Sequence, residues 1–142
     1  MPEQRVVLTV NECGLAEVKL NRADKLNALD MSMFKAIYNT IRTIRKNKSV
    51  RAVIVYGDGN DFCSGLDVKS VMGSTGNAVS LLFKWWPGHA NLAQKVTANW
   101  RKLPVPVIMV LHGRCWGGGM QLALGADYRI ADANASLSIM ES

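Results

Sequence analysis

The 142-residue chain is poor in the residues that most often advertise chemistry: it has three cysteines and two histidines. Cys13, Cys63 and Cys115 are odd in number and show no CxxC spacing, which excludes a disulfide framework and a zinc site. His89 and His112 have no metal-ligand spacing. His112 ends a strand-like run and reads as a structural hydrogen-bonding residue rather than a base. No apolar run reaches the ~20 residues that a membrane span needs. Met1-Pro2-Glu3-Gln4-Arg5 lacks the apolar region of a secretory signal, so the expected location is the cytoplasm. Two common glycine motifs are missing as well. GxGxxG, the dinucleotide-binding loop, does not occur. Neither does the GxSxG of serine hydrolases, because Ser64 follows Phe62-Cys63. Low complexity and linkers are absent, and the length fits one domain.

Acidic residues are also scarce: 11 against 17 Lys and Arg, a formal charge of +6. Nucleic acid is one partner that such an excess fits. Much of it, however, lies in Arg42, Arg45, Lys46, Lys48 and Arg51, at an expected helix end where the helix dipole favours cations. Attraction of a nucleotide phosphate is the other reading. Hydrophobic content of 49% with 20% charged residues is ordinary for a soluble globular protein.

Along the chain, Arg5 to Val10 and Leu15 to Leu20 are β-prone runs around Asn11-Glu12-Cys13-Gly14, a hairpin pattern. Asp30 reads as a helix N-cap. Phe34, Ile37, Ile41 and Ile44 recur at spacings of three and four, one apolar stripe on a helix that ends near Lys46 to Lys48. Ala52 to Tyr56 and Val107 to Leu111 are continuous apolar runs that suit buried, parallel strands. Between them, Gly73 to Asn77 reads as a flexible stretch. A helical region follows over about Val79 to Leu103, broken near Pro87-Gly88, with Trp85, Trp86 and Trp100 as packing or interface residues rather than a chemical site. Gly119 to Ala126 reads as a short helix, and Asp127 to Ala131 and Leu137 to Ile139 as strands. Strand, glycine turn, helix, strand recurs at 51–72 and 106–131, which argues for α/β layers. The chain stops at Ser142, just after an apparent strand, so an incomplete domain spanning 1–142 is expected.

Two glycine-centred loops stand out: Asp61-Phe62-Cys63-Ser64-Gly65-Leu66-Asp67 and Gly113-Arg114-Cys115-Trp116-Gly117-Gly118-Gly119. Each follows a buried-type strand and leads into a helix-like segment. Together they read as two sets of backbone N–H donors aimed at one carbonyl oxygen, the equipment for stabilising an oxyanion. Such a site suits a thioester whose α-carbon loses or gains a proton, since charge then develops on the carbonyl oxygen. Glycine permits close backbone approach, and a helix starting at Gly118 or Gly119 adds its positive end. Taken alone, Gly117-Gly118-Gly119 also reads as a flexible turn. Cys63 and Cys115 read as small buried apolar residues before catalytic thiols.

Four segments resemble the enoyl-CoA hydratase/isomerase, or crotonase, family from about Val7 to Glu141. Leu20-Asn21-Arg22-Ala23-Asp24-Lys25-Leu26-Asn27-Ala28-Leu29 is similar to the family's LNRPxxxNAL, with Ala23 in place of proline. Phe62-Cys63-Ser64-Gly65-Leu66-Asp67 matches F-[SCA]-[SA]-G-x-D. Trp116-Gly117-Gly118-Gly119 matches an aromatic residue followed by three glycines. Ala135 to Glu141 is similar to the strand and loop that bring in a catalytic carboxylate.

The resemblance implies an α/β, crotonase-like (ClpP/crotonase) core of repeated ββα units without its C-terminal helical region. By the same resemblance, the N–H groups of Leu66 and Gly118 form the oxyanion hole. Lys25, Leu26 and Ala28 lie along the CoA, Ser64 lies near the adenine, and Lys69 reaches the CoA phosphates. Gly65, Asp67, Trp116 and Gly117 complete the binding loops. Lys69 also reads as a solvated helix-face lysine, and Asp67 as a capping or structural carboxylate. Family hydratases carry a glutamate two residues after the glycine triplet, where this chain has Gln121. Glutamine cannot exchange a proton as a carboxylate does; it reads either as a residue that orients water or a carbonyl, or as a packing residue. Glu141 matches the second family glutamate. One carboxylate fits a double-bond isomerase better than a two-carboxylate hydratase. Hydration of a trans-2-enoyl-CoA is the rival. A non-catalytic CoA-binding or subunit-binding remnant would also fit, as would a thiol or serine hydrolase. The expected partner is an acyl-CoA thioester, with no nucleic acid, membrane, metal or separate cofactor, since CoA enters with the substrate. A trimer or hexamer is expected for a full-length relative.

Overall fold

The computed structural model describes residues 4–67 and 96–139. Strand β1 (Val6–Val10) and strand β2 (Leu15–Leu20) form the expected antiparallel hairpin, with Val6 opposite Leu20. The turn is held by Asn11, whose side-chain oxygen accepts from the N–H groups of Cys13 and Leu15 at 3.0 and 2.9 Å. A 3-10 turn (Ala23–Lys25) leads to helix α1 (Met31–Lys46). Asp30 caps that helix by accepting from the Met33 N–H at 2.8 Å. Met33, Phe34, Ile37, Ile41 and Ile44 are its buried stripe, and Arg45 and Lys46 occupy its last turn.

Strands β3 (Ala52–Gly57), β4 (Val107–Leu111) and β6 (Tyr128–Ala131) continue the sheet in the order β1-β2-β3-β4-β6. All pairs beyond the hairpin are parallel. Along β2 and β3, burial alternates: Ala16, Val18, Leu20, Val53 and Val55 are buried while their neighbours are partly covered. The continuous apolar run at Ala52 to Tyr56 therefore has one fully buried face, not two. Val96, Trp100 and Leu103 join the same core as the α1 stripe; residues 96–102 are helical and fall within the helical region expected over about Val79 to Leu103. The rest of that expected region, with Trp85, Trp86, Pro87-Gly88 and His89, lies outside the described residues, as does Gly73 to Asn77.

A second, small sheet is a departure from expectation. Strand β5 (Arg114–Trp116) pairs in parallel with β7 (Ser136–Ser138). The sequence places these first three residues in a glycine loop. Their strand conformation comes from the partner far along the chain, which local patterning does not encode. The strand read at Leu137 to Ile139 begins one residue earlier, at Ser136. Helix α2 (Gly118–Ala123) is shorter than the expected 119–126. The expected strand over Asp127 to Ala131 forms at Tyr128–Ala131, but on the sheet's edge and exposed: Tyr128 is 65% and Ile130 60% accessible. No helix among the described residues is long and apolar enough to cross a membrane.

Parallel pairing decides where the site falls. β2, β3 and β4 run in one direction, so their C-terminal ends share one edge of the sheet. The segments that leave those ends are 21–30, 58–67 and 112–117, the segments singled out in the sequence. Ligands of open α/β sheets bind outside such ends.

Candidate functional site

Backbone hydrogen bonds join the three loops. The Phe62 N–H donates to His112 O at 2.8 Å, Cys63 N–H to Arg114 O at 3.0 Å, and Trp116 N–H to Cys63 O at 3.0 Å. Cys63 and Cys115 are thus direct parallel-bridge partners. The first loop joins in the same way: Ser64 N–H donates to Leu26 O at 3.0 Å, Leu29 N–H to Gly65 O at 2.7 Å, and Asp67 N–H to Leu29 O at 2.9 Å. These last two bonds flank Leu66, the bridge partner of Leu29. Alternation along an extended segment turns the N–H of Leu66 away from Leu29 and toward the other side.

Gly118 lies close to both residues of this bridge. A Cβ built on Gly118 would sit 3.8 Å from the Leu66 nitrogen and 3.0 Å from Leu29 Cδ1. The other two glycines of the triplet have different reasons to be glycine. Gly117 takes φ +49°, in the region that side chains disfavour. Gly119 packs so closely that a Cβ would lie 2.5 Å from Cys63 O and 2.8 Å from Cys63 Cβ. The Gly117 N–H donates to Ser138 O at 2.8 Å, so β7 also supports this loop.

Asp61 ties the loops through side chains. Its Oδ1 accepts from the Arg114 N–H at 2.8 Å, and its Oδ2 is 3.7 Å from Arg114 Nη1. The Arg114 guanidinium lies over the Trp116 ring, 5.3 Å from the centroid, and Trp116 Nε1 donates to Ser136 Oγ at 2.9 Å. His112 Nδ1 is 3.3 Å from Asn60 O, as a structural histidine would be.

Beneath the loops is a polar layer that the sequence reading missed. The Arg22 side chain is 9% accessible. Its Nη1 is 2.8 Å from Asp67 Oδ2 and donates to Ala28 O at 3.1 Å, while Nη2 is 3.5 Å from Asp30 Oδ2. Arg5 Nη2 reaches the same Asp30 oxygen at 3.0 Å. Burial pushes the Asp30 carboxyl up, but the Arg5 hydrogen bond, the Met33 N–H and the charges of Arg22 and Arg5 together hold it below its usual value. Asn27, fully buried, accepts from the Arg22 N–H at 2.8 Å and donates to Asp58 O and Asp61 O at 2.9 and 2.8 Å. Arg22 and Asn27 stood in the sequence only as letters of a motif. The signal that could have found them is two polar residues bracketing a short turn, next to a run that must be buried.

Of the residues expected at the site, Lys25, Leu26, Ala28, Ser64, Gly65, Leu66, Asp67, Trp116, Gly117 and Gly118 sit on these joined loops. Lys25 and Leu26 are exposed, Ala28 and Gly65 are buried, and Trp116 is about one-third accessible. Asp67 carries out the structural pairing expected of it, on Arg22. Gln121 is exposed on α2; its backbone oxygen accepts from Thr97 Oγ1 at 3.3 Å. Cys63 and Cys115 are buried, and burial pushes the Cys115 thiol up to about 11, which suits a core residue rather than a nucleophile. Lys69 and Glu141 lie outside the described residues.

A parallel-rich sheet with glycine loops gathered at the strands' C-terminal ends and laced into a second small sheet defines a crotonase-type α/β protein. The sequence profile of the enoyl-CoA hydratase/isomerase family matches residues 11–142, and the chain belongs to that family. The YngF protein of Bacillus subtilis (strain 168) is 33% identical over 138 residues, covering 96% of this chain and 50% of its own. The mitochondrial Delta(3,5)-Delta(2,4)-dienoyl-CoA isomerase of Mus musculus is 29% identical over 142 residues, covering 97% and 43%. The crystal structure of enoyl-CoA hydratase from Bacillus anthracis superposes with a TM-score of 0.84 at 27% identity, covering 94% and 50%. The chain thus spans about half the length of the relatives it matches.

Proposed function

We propose that this chain binds an acyl-CoA thioester and stabilises its enolate with the N–H groups of Leu66 and Gly118, in the service of enoyl-CoA double-bond isomerisation. One observation carries the reading: a Cβ on Gly118 would lie 3.8 Å from the Leu66 nitrogen, so two loops from different strands bring their backbones to one point. Main-chain donors need no side-chain ordering, and removing one such donor typically costs about 2.7–4 kcal/mol of transition-state stabilisation.

In the proposed reaction, the Glu141 carboxylate takes the proton from C2 of a 3-enoyl-CoA. The electron pair moves into the thioester, whose oxygen accepts from Leu66 and Gly118. The double bond shifts to C2–C3 as the proton returns to C4. Lys25, Leu26, Ala28 and Ser64 lie along the CoA, and Lys69 meets its phosphates as a compact point charge. Gly65, Asp67, Trp116 and Gly117 shape the two loops. Gln121, a neutral amide where a second carboxylate would serve hydration, favours isomerisation over hydration.

Offering 3-enoyl-CoA and trans-2-enoyl-CoA to the chain and following isomer against hydrated product tests the reaction. Hydration faster than isomerisation would overturn the isomerase assignment. A second reading, thioester binding without turnover, is favoured by Gln121, an amide that cannot exchange a proton. Calorimetric binding of acetyl-CoA with neither product formed would select it.

A further inference from the structure

We infer that Arg22 is the positioning residue for the Leu66 amide, an inference that rests on the proposed thioester-oxygen site. Two backbone bonds join Leu29 to the segment bearing Leu66: Leu29 N–H to Gly65 O and Asp67 N–H to Leu29 O. These bonds lie on either side of Leu66, so its amide takes its direction from the placement of Gly65 and Asp67. The Arg22 guanidinium supplies a further constraint. It holds Ala28 O at 3.1 Å, next to Leu29, and the Asp67 carboxylate at 2.8 Å, next to Leu66, so it grips both members of the bridge from one side.

Its third contact, Asp30 at 3.5 Å, is the N-cap of α1. The loop is thereby referred to a sixteen-residue helix anchored in the core. Arg22 is itself held: its N–H donates to Asn27 Oδ1 at 2.8 Å, and its backbone oxygen accepts from the N–H groups of Lys25 and Asn27 at 3.0 and 2.8 Å. A planar fork is needed here, because a lysine at this position cannot reach a carbonyl and two carboxylates in one plane. None of these contacts is with Gly118 or with the place for the thioester oxygen, so the effect of Arg22 would be on alignment of one donor and not on CoA contact.

The test uses the whole chain and acetyl-CoA labelled with carbon-13 at the thioester carbonyl. Difference infrared spectroscopy reads the carbonyl stretch, which falls in frequency when the oxygen accepts strong hydrogen bonds. For the wild type, a downward shift on binding is expected. For Arg22→Lys, with folding checked by circular dichroism, we expect CoA affinity within about threefold of wild type and at least half of the downward shift lost. Where Arg22→Lys does not fold, Arg22→Gln, whose amide cannot hold the Ala28 carbonyl and the Asp67 carboxylate together as the guanidinium fork does, is expected to lose the shift in the same way. A folded variant with the full wild-type shift overturns the role of Arg22 and leaves the thioester-oxygen site standing. Loss of CoA affinity together with the shift also overturns it, since Arg22 would then serve the whole loop. A wild type that does not bind, or binds without a shift, overturns the site and this inference with it.

Discussion

Cys63 and Cys115 face each other across a parallel bridge, and each stands three residues before a proposed oxyanion donor, Leu66 in one loop and Gly118 in the other. The two bonds that make the bridge, Cys63 N–H to Arg114 O and Trp116 N–H to Cys63 O, are both 3.0 Å. The loops are therefore in register before either reaches the site, and small buried side chains at 63 and 115 let them come this close.

That register depends on Gly119. A methyl group there would meet the Cys63 backbone oxygen at 2.5 Å, and backbone cannot step aside as a side-chain end can. Gly119→Ala is expected to lower stability by ~1–3 kcal/mol, the usual cost of overpacking. Urea unfolding read at constant m-value measures it, and an unchanged midpoint would contradict the close approach.

Gly118→Ala should behave differently. Its methyl would meet the end of the flexible Leu29 side chain at 3.0 Å and enter the space beside the Leu66 nitrogen. Stability should change little, while isomerisation should fall on the order of 10²–10³-fold, the scale of losing one oxyanion donor. Turnover of 3-enoyl-CoA at matched folded fraction checks this; wild-type turnover would place the thioester oxygen elsewhere.

The cysteines give a chemical test of the core. Cys13 is exposed, while Cys63 and Cys115 are buried, the latter with its thiol pushed up to about 11. At pH 8 an aromatic disulfide reagent should titrate Cys13 quickly in the folded protein, and all three thiols after denaturation. Fast reaction of Cys63 or Cys115 in the folded state would contradict their packing and revive a thiol nucleophile.

Asp30 sets the expected acid limb. Its carboxyl is held below the ordinary 3.8, so folding binds its charged form more strongly. The contribution is fully present above the unfolded value and is lost as pH falls through the lower folded value. Carbon-13 titration of the Asp30 carboxyl should give a midpoint below 3.8, moving upward in Arg5→Met, which removes the 3.0 Å partner. A wild-type midpoint at or above 3.8 would show that desolvation wins.

The elements that local pattern specifies were legible in the sequence. The hairpin follows from two β-prone runs about a turn, α1 from an apolar stripe behind Asp30, and β3 and β4 from their β-branched runs. What failed was non-local. β5 is three residues beside a glycine triplet, and only Ser136–Ser138 makes it a strand. The same pairing sets the start of β7, and a one-residue change there exchanges the faces of Leu137 and its neighbours. Which segments gather at the sheet edge was readable from motifs, because glycine positions and polar turns are local. The Arg22 clamp was not, since Asp67 joins Ala28 and Asp30 around it only after β2 and β3 pair in parallel and deliver their loops to one edge.

A crystal structure of the chain with acetyl-CoA reaches the main proposition most directly. The thioester oxygen should lie about 2.7–3.1 Å from both the Leu66 and the Gly118 nitrogens. An acetyl-CoA whose carbonyl oxygen is bound by other groups, with those two amides pointing apart, would contradict it.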